Sequence, residues 1–447
     1  MKRRDFLKRA IPVTAIPFSV NGPPLHAFER FPMAGASASA SDSIAGDRAL
    51  VVIQLNGGND GINTVVSLDQ YSSYRNLRPN IAIPDDRVLR LTEATGLHPA
   101  MTGLKALYDM GRLCVVQGVS YPNPNFSHFR ATDIWLTAAD YNQYLTTGWL
   151  GRYLELEFQD YPDGYPNPMM PDPLAIQIGS VVSVGLQGST GSMAITITDP
   201  ATFYRLVSGT SSGGQDTPPQ TPAGRELQFI RQIANQSAQY ASRVKEAAEK
   251  AQNRSALYPA AGKSSLADQL KIVARLIAGG LRTRIYFVST GGFDTHSSQV
   301  VATDTTTGTH ANLLGNLSTA IRAFQDDIEL LGAGHRVVAM TFTEFGRRAA
   351  SNSSLGTDHG TATPVFIVGA PVRAGIVGAN PSLTDLSSGN LKMQFDFRAI
   401  YASVLRQWLG MDDSKLAVIF SRSYPILDLI WGPPLLPRRR PVVVDSY

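Results

Sequence analysis

The chain has 447 residues, 40 Lys and Arg against 36 Asp and Glu, a formal net charge of +4, and a single cysteine. The whole excess lies in the first forty residues, where Lys2, Arg3, Arg4, Lys8, Arg9 and Arg30 face only Asp5 and Glu29. The near-neutral remainder gives no electrostatic basis for binding nucleic acid or an anionic membrane. One cysteine excludes an intramolecular disulfide.

Arg3-Arg4-Asp5-Phe6-Leu7-Lys8 has the pattern of a twin-arginine export signal. The mildly apolar stretch from Ala10 to Val20 is interrupted by Pro12 and Pro17 and is too short to span a bilayer. Ala36, Ala38 and Ala40 supply small residues for cleavage near Ala38 or Ala40. Residues 1–40 are expected to be a signal peptide, with the twin-arginine translocase as partner during export, a periplasmic or secreted destination and no stable membrane span.

Beyond the signal, short apolar runs alternate with helical patterns. Strands are predicted at Ala49–Leu55, Leu113–Val119, Arg284–Ser289, Arg336–Thr343 and Pro364–Val368, and helices at Pro99–Met110, His128–Ala138, Ser265–Ala278, His310–Leu331 and Phe397–Leu409. Continuous apolar runs suit strands covered on both faces. Their alternation with helices predicts an α/β fold with a mostly parallel sheet and helices on both sides. Cys114, inside Leu113-Cys114-Val115-Val116, reads as a buried inert thiol. Residues 160–220 are rich in Pro, Gly, Ser and Thr, and Arg225–Gln252 is Ala- and Gln-rich. Residues 41–447 are therefore expected to form a single domain with an inserted helical and loop cap at about 160–262. Ser208–Pro222 should be a mobile loop, and Pro437-Arg438-Arg439-Arg440-Pro441 a solvated end.

In an open α/β sheet, ligands bind beyond the carboxyl ends of the strands. The segments expected there are Asn56-Gly57-Gly58-Asn59-Asp60-Gly61, Phe126-Ser127-His128-Phe129-Arg130, Gly291-Gly292-Phe293-Asp294-Thr295-His296, Glu344-Phe345-Gly346-Arg347 and Gly356-Thr357-Asp358-His359-Gly360. Three of the seven histidines, His128, His296 and His359, fall in these loops. Imidazole and carboxylate together suit zinc, manganese or iron. Each motif also has a plainer reading. Asp60 suits a turn, Asp358 and His359 can bond backbone, and Ser127 is either a nucleophile or a helix N-cap. Arg130 and Arg347 are candidate oxyanion clamps or ion-pair partners. Glu344 is a candidate ligand or the partner of Arg347. His98 reads as a helix cap, His335 as exposed and His310 as a reserve ligand. No Gly-x-Ser-x-Gly elbow follows a predicted strand, and no dinucleotide-binding glycine motif or phosphate-binding P-loop is present.

Together these five motifs resemble domain-of-unknown-function family 1501, bacterial proteins commonly carrying twin-arginine signals, from about Leu50 to about Gly410. That family looks like a branch of the alkaline phosphatase and sulfatase superfamily. The resemblance implies an alkaline-phosphatase-like fold, with Asp60 as first-strand ligand, Ser127 as nucleophile at a helix start, and Asp358 and His359 as a late pair closing one metal site. Asp294 and His296 would serve a second. The superfamily spaces that pair more widely and adds a later histidine, whereas here none follows His359. His310 or Glu344 would have to substitute, or the site holds one ion. No Cys/Ser-x-Pro-x-Arg motif surrounds Cys114 or Ser127, so formylglycine chemistry is not expected.

The function expected is an exported hydrolase of phosphate or sulfate esters. It would use one or two divalent ions, with zinc first and manganese or calcium next, on a small or polymeric anionic ester. Ser127 would attack and Arg130 would hold the oxyanion. The alternative is a non-catalytic protein binding a surface polymer or partner on the same fold.

Overall fold

The computed structural model describes residues 47–207 and 221–431. The export signal, nearly all of the expected loop at 208–222 and the basic tail lie outside the described residues.

The strands are β1 (Ala49–Leu55), β2 (Val65–Ser67), β3 (Leu89–Arg90), β4 (Thr95–Leu97), β5 (Leu113–Ser120), β6 (Ala175–Ile178), β7 (Ala194–Ile197), β8 (Ile285–Thr290), β9 (Val337–Phe342), β10 (Thr363–Val368), β11 (Gly375–Val377) and β12 (Phe395–Asp396). Among the described residues, nine of them form one sheet in the order β11-β5-β10-β9-β1-β8-β6-β7, with β12 beside β5. The strands β2, β4 and β3 make a small antiparallel sheet. In the large sheet every pairing is parallel except those of β10, which runs antiparallel to both β5 and β9.

The main helices are α1 (Thr102–Asp109), α2 (His128–Thr137), α3 (Trp149–Glu157), α4 (Pro222–Lys250), α5 (Ser265–Ala278), α6 (Thr309–Leu330), α7 (Phe397–Gln407) and α8 (Asp413–Phe420). β1 shows why they divide into two layers. Ala49, Val51, Ile53 and Leu55 pack into one core with α1, α4, α5 and α6. Leu50 and Val52 point the other way, into a core with α2, α3, α7 and α8. Side chains alternate along a strand, so a strand with six apolar residues of seven, spread over both faces, is stable only between two helical layers. Each fully buried Val, Leu or Ile contributes on the order of 2 kcal/mol relative to exposure.

The mixed α/β architecture is the one expected, and all five predicted strands and helices are present with their ends shifted by up to three residues. The region about 160–262 differs. It supplies β6 and β7, which extend the main sheet past β8, while Tyr240, Ala241, Val244, Ala247 and Ala248 of α4 are buried in the main core. It is part of the domain rather than a cap. The short apolar runs 175–178 and 194–197 lie among turn-forming residues, which masked their strand character.

Candidate functional site

All strands of the large sheet except β10 point the same way, so the carboxyl ends of β1, β5, β8 and β9 share one edge. β10 begins at that edge, which places the segment between β9 and β10 there as well. The five loops named from the sequence meet at this edge.

Arg347 organises the meeting and is fully buried. Its Nε donates to the Gly58 carbonyl (2.6 Å), its Nη1 to the Thr357 carbonyl (3.0 Å), and its Nη2 to the Gly57 carbonyl, the Phe293 carbonyl (3.1 Å) and Asp294 Oδ1 (2.7 Å). One guanidinium thus joins the loops after β1 and β8 to the loop before β10. It is an internal tie rather than an oxyanion clamp. The loop after β1 can come this close because it carries glycines. A Cβ on Gly57 (φ +122°) would lie 2.4 Å from the Asp294 nitrogen, and one on Gly58 (φ +74°) 2.2 Å from the Phe345 ring.

Three imidazoles surround Asp294. His128 Nε2 lies 3.4 Å from Asp294 Oδ2, while His296 Nε2 and His359 Nε2 lie 3.1 and 3.2 Å from Oδ1. The His296 and His359 Nε2 atoms are 2.9 Å apart. Each Nδ1 faces outward to an acceptor: Glu344 Oε1 at 2.8 Å for His128, the Phe126 carbonyl at 2.8 Å for His359, and Asp358 Oδ1 at 3.5 Å for His296. Acceptors on Nδ1 favour the neutral tautomer with its proton there. With the proton on Nδ1, the Nε2 lone pairs of His128 and His359 face the Asp294 carboxylate, and His296 Nε2 stands beside them.

Such a set suits a cation. Protons are one choice, but burial lowers the His359 pKa by more than its bonds to Phe126 and Asp294 raise it, and Arg347 and His128 lower it further. At Asp294 partial burial works to raise the pKa, but the Arg347 hydrogen bond and charge outweigh it and keep the carboxylate ionised. A divalent ion is the other choice, and the donor set fits one. His128, Asp294 and His359 offer donor atoms all within 4.8 Å of one another. Donors around a tetrahedral zinc stand about 3.3 Å apart. Outward Nδ1 bonds to carboxylate or carbonyl are the usual outer support of metal-bound histidine.

The residues expected from the sequence divide. Asp294, His296 and His359 meet. Asp358 stands behind His296, with Asn352 donating to it at 3.2 Å. His128, named among the loop histidines but not in the expected ligand set, joins the cluster from the first position of α2. Glu344 partners His128 rather than Arg347, and also accepts the Gly57 N–H at 2.9 Å.

Asp60 is not among the converging side chains. It is fully buried, paired with Arg78 at 2.6 Å and accepting from Gln299 Nε2 at 2.6 Å. Burial alone would raise its pKa; Arg78, with help from His310 and Gln299, reverses this and holds it down to about 2. His310 shares this interior polar cluster through Asn59 at 3.0 Å, and burial lowers its pKa to about 4. Arg78 and Gln299 carried no sequence signal, because neither belongs to a recognisable motif.

Ser127 is the exposed N-cap residue of α2, and its hydroxyl makes no capping bond. Its neighbours on both sides touch the cluster, Phe126 through its carbonyl and His128 through its ring. Arg130 does not face an open oxyanion site. It binds Asp133 and the carbonyls of Asp140, Tyr141 and Gln143, and stacks on Tyr144, so it locks the segment after α2. His98 accepts from the Ala100 N–H at 3.1 Å, ahead of α1, whose N-cap is Met101 without a side-chain bond, so it is not the helix cap expected; His335 is exposed, as expected. Cys114 is buried, and burial pushes its pKa up to about 12.

Among solved structures the chain is similar to the C-terminal periplasmic domain of EcEptC from Escherichia coli, determined in complex with zinc. Identity is 11%, over 73% of this chain and 74% of that one, with a TM-score of 0.30. It is also similar to alkaline phosphatase from the Antarctic bacterium TAB5, with 9% identity over 84% of this chain and 99% of that one, and a TM-score of 0.27. Both likenesses are slight. No curated protein matches the sequence. The model of the family described as "Protein of unknown function (DUF1501)" matches residues 197–422, half of the chain, and the chain belongs to that family.

Proposed function

We propose that this protein is a metal-dependent hydrolase whose ion is held by His128, Asp294, His296 and His359. The observation that carries the reading is the convergence of three Nε2 atoms on one carboxylate, with the His128 and His359 Nδ1 atoms hydrogen-bonded outward. A divalent ion bound there supplies Lewis-acid polarisation and lowers the pKa of a coordinated hydroxyl.

The protein's own contributions are positional. Glu344, the Phe126 carbonyl and Asp358 fix the rings, and Arg347 keeps Asp294 ionised and in place. Ser127, with its uncapped exposed hydroxyl between two residues of the centre, is the nucleophile of this reading. The free N–H groups of the first turn of α2 favour an anion, which suits a phosphate or sulfate ester. Twin-arginine export to the periplasm or beyond belongs to the same proposal and rests on the N-terminal motif.

A non-catalytic binding role is favoured by one observation: the expected oxyanion clamp, Arg130, is fully engaged by its own loop. Metal analysis and turnover of aryl phosphates and sulfates decide between the two. Wild type should retain zinc after dialysis and turn over at least one ester class. Ser127→Ala should keep the zinc and lose turnover, and His359→Ala should lose both. Zinc retained without turnover would support the binding role, and folded wild type with no affinity for zinc, manganese or calcium would sink the metal reading.

A further inference from the structure

Gln299 is fully buried, and its side-chain hydrogen bonds go to neighbours of the candidate centre rather than to its ligands. Its Nε2 donates to Asp60 Oδ2 at 2.6 Å, and its Oε1 accepts from Thr295 Oγ1 at 2.9 Å and Thr357 Oγ1 at 3.2 Å. Thr295 stands between Asp294 and His296, and Thr357 immediately precedes Asp358 and His359. The loops that carry most of the centre therefore share one amide oxygen.

Asp60 fixes which way that amide points. An ionised carboxylate only accepts hydrogen bonds, so Nε2 must face Asp60 and Oε1 must face the two threonines. Arg78 anchors Asp60 in turn and ties its own guanidinium to the carbonyls of Ala349 (2.9 Å) and Arg348 (2.8 Å) in the segment between β9 and β10. Backbone bonds run beside the tie, from Thr357 N–H to the Thr295 carbonyl (3.2 Å) and from Gln299 N–H to the Leu355 carbonyl (2.8 Å).

We propose that Gln299, oriented by the buried Asp60–Arg78 pair, is a positioning residue that sets the spacing of the Asp294–His296 and Asp358–His359 loops and thereby the affinity of the centre for its ion. The inference rests on the metal reading above. It assigns Asp60 a role in metal affinity without making it a ligand.

Zinc affinity by chelator competition, together with amide hydrogen exchange on the metal-free protein, tests it. Thr295→Val and Thr357→Val, singly and together, remove only the loop side of the tie and leave Asp60 paired. Gln299→Leu removes both sides. Outer supports of a metal site are typically worth 10–100-fold in affinity, and the double threonine variant, acting through neighbours of the ligands, should bind zinc about 10-fold more weakly. Its amides at 294–296 and 357–359 should exchange faster, while the core strands keep wild-type protection. Unchanged zinc affinity or unchanged exchange in the folded double variant would overturn the proposal. Wild type that binds no zinc would end the metal reading and the affinity claim with it, whereas faster loop exchange in the variants would still show the tie.

Discussion

Replacing Asp60 by asparagine separates a ligand from a structural anion. The carboxylate is fully buried against Arg78 at 2.6 Å with its pKa held down to about 2. A folded-state value below the unfolded one means the stabilisation is complete above the unfolded pKa and is lost as the pH falls through about 2. The shift from the ordinary 3.8 amounts to about 2 kcal/mol. The substitution removes more than that, because Arg78 keeps its charge and is left with Asn63 and two carbonyls, and breaking a buried pair from one side costs about 3–5 kcal/mol. Guanidinium unfolding followed by tryptophan fluorescence should show that loss at pH 7, with a shallower loss of stability between about pH 4 and pH 2 than in wild type. Zinc stoichiometry at saturation should stay the same. An Asp60→Asn protein of wild-type stability that no longer takes up zinc would refute the reasoning, since it would put Asp60 in the ligand set.

Glu344→Gln keeps the shape of the side chain beneath His128 but removes the anion on its Nδ1. Zinc affinity should fall by about 10–100-fold with stoichiometry retained, measured by the same chelator competition, and an unchanged affinity would separate Glu344 from the centre. His310 is buried neutral with its pKa lowered to about 4 from 6.5. Its contribution is complete above pH 6.5 and lost as the pH falls through about 4, worth about 3 kcal/mol over that window. His310→Gln should flatten the pH dependence of the denaturation midpoint there, and a midpoint that varies with pH as in wild type would exclude His310 as its source.

The sequence made the sheet legible because its central strands are buried on both faces. Runs such as Ala49–Leu55 and Val337–Phe342 stand out without any alternation to confuse them with amphipathic helices. β6 and β7 are four residues each and sit among prolines and glycines, so their apolar content was too short to register. At the site, the positions of Asp294 and His296 followed from the end of a predicted strand, whereas His359 precedes one. Asp60 misled because a carboxylate in a glycine turn after the first strand looks the same whether it faces a cation or a buried arginine, and Arg78 is 18 residues away. Only the folded arrangement shows that the antiparallel course of β10 brings the segment before it back to the shared edge.

The place of β1 in the sheet has a consequence for how the molecule is made. Its seven buried, uncharged residues pair with β8 from Leu50 to Ile285 and with β9 from Ala49 to Val337. The first strand among the described residues therefore waits about 235 further residues for β8 and nearly three hundred for β9. Non-local parallel pairing of this kind folds slowly, and an unpaired apolar strand is prone to aggregate in the meantime. A nascent chain of this protein should need a holding chaperone on residues 49–55 during translation. A segment starting at residue 197 would lack β1, the strand between β8 and β9, together with β5 and β6.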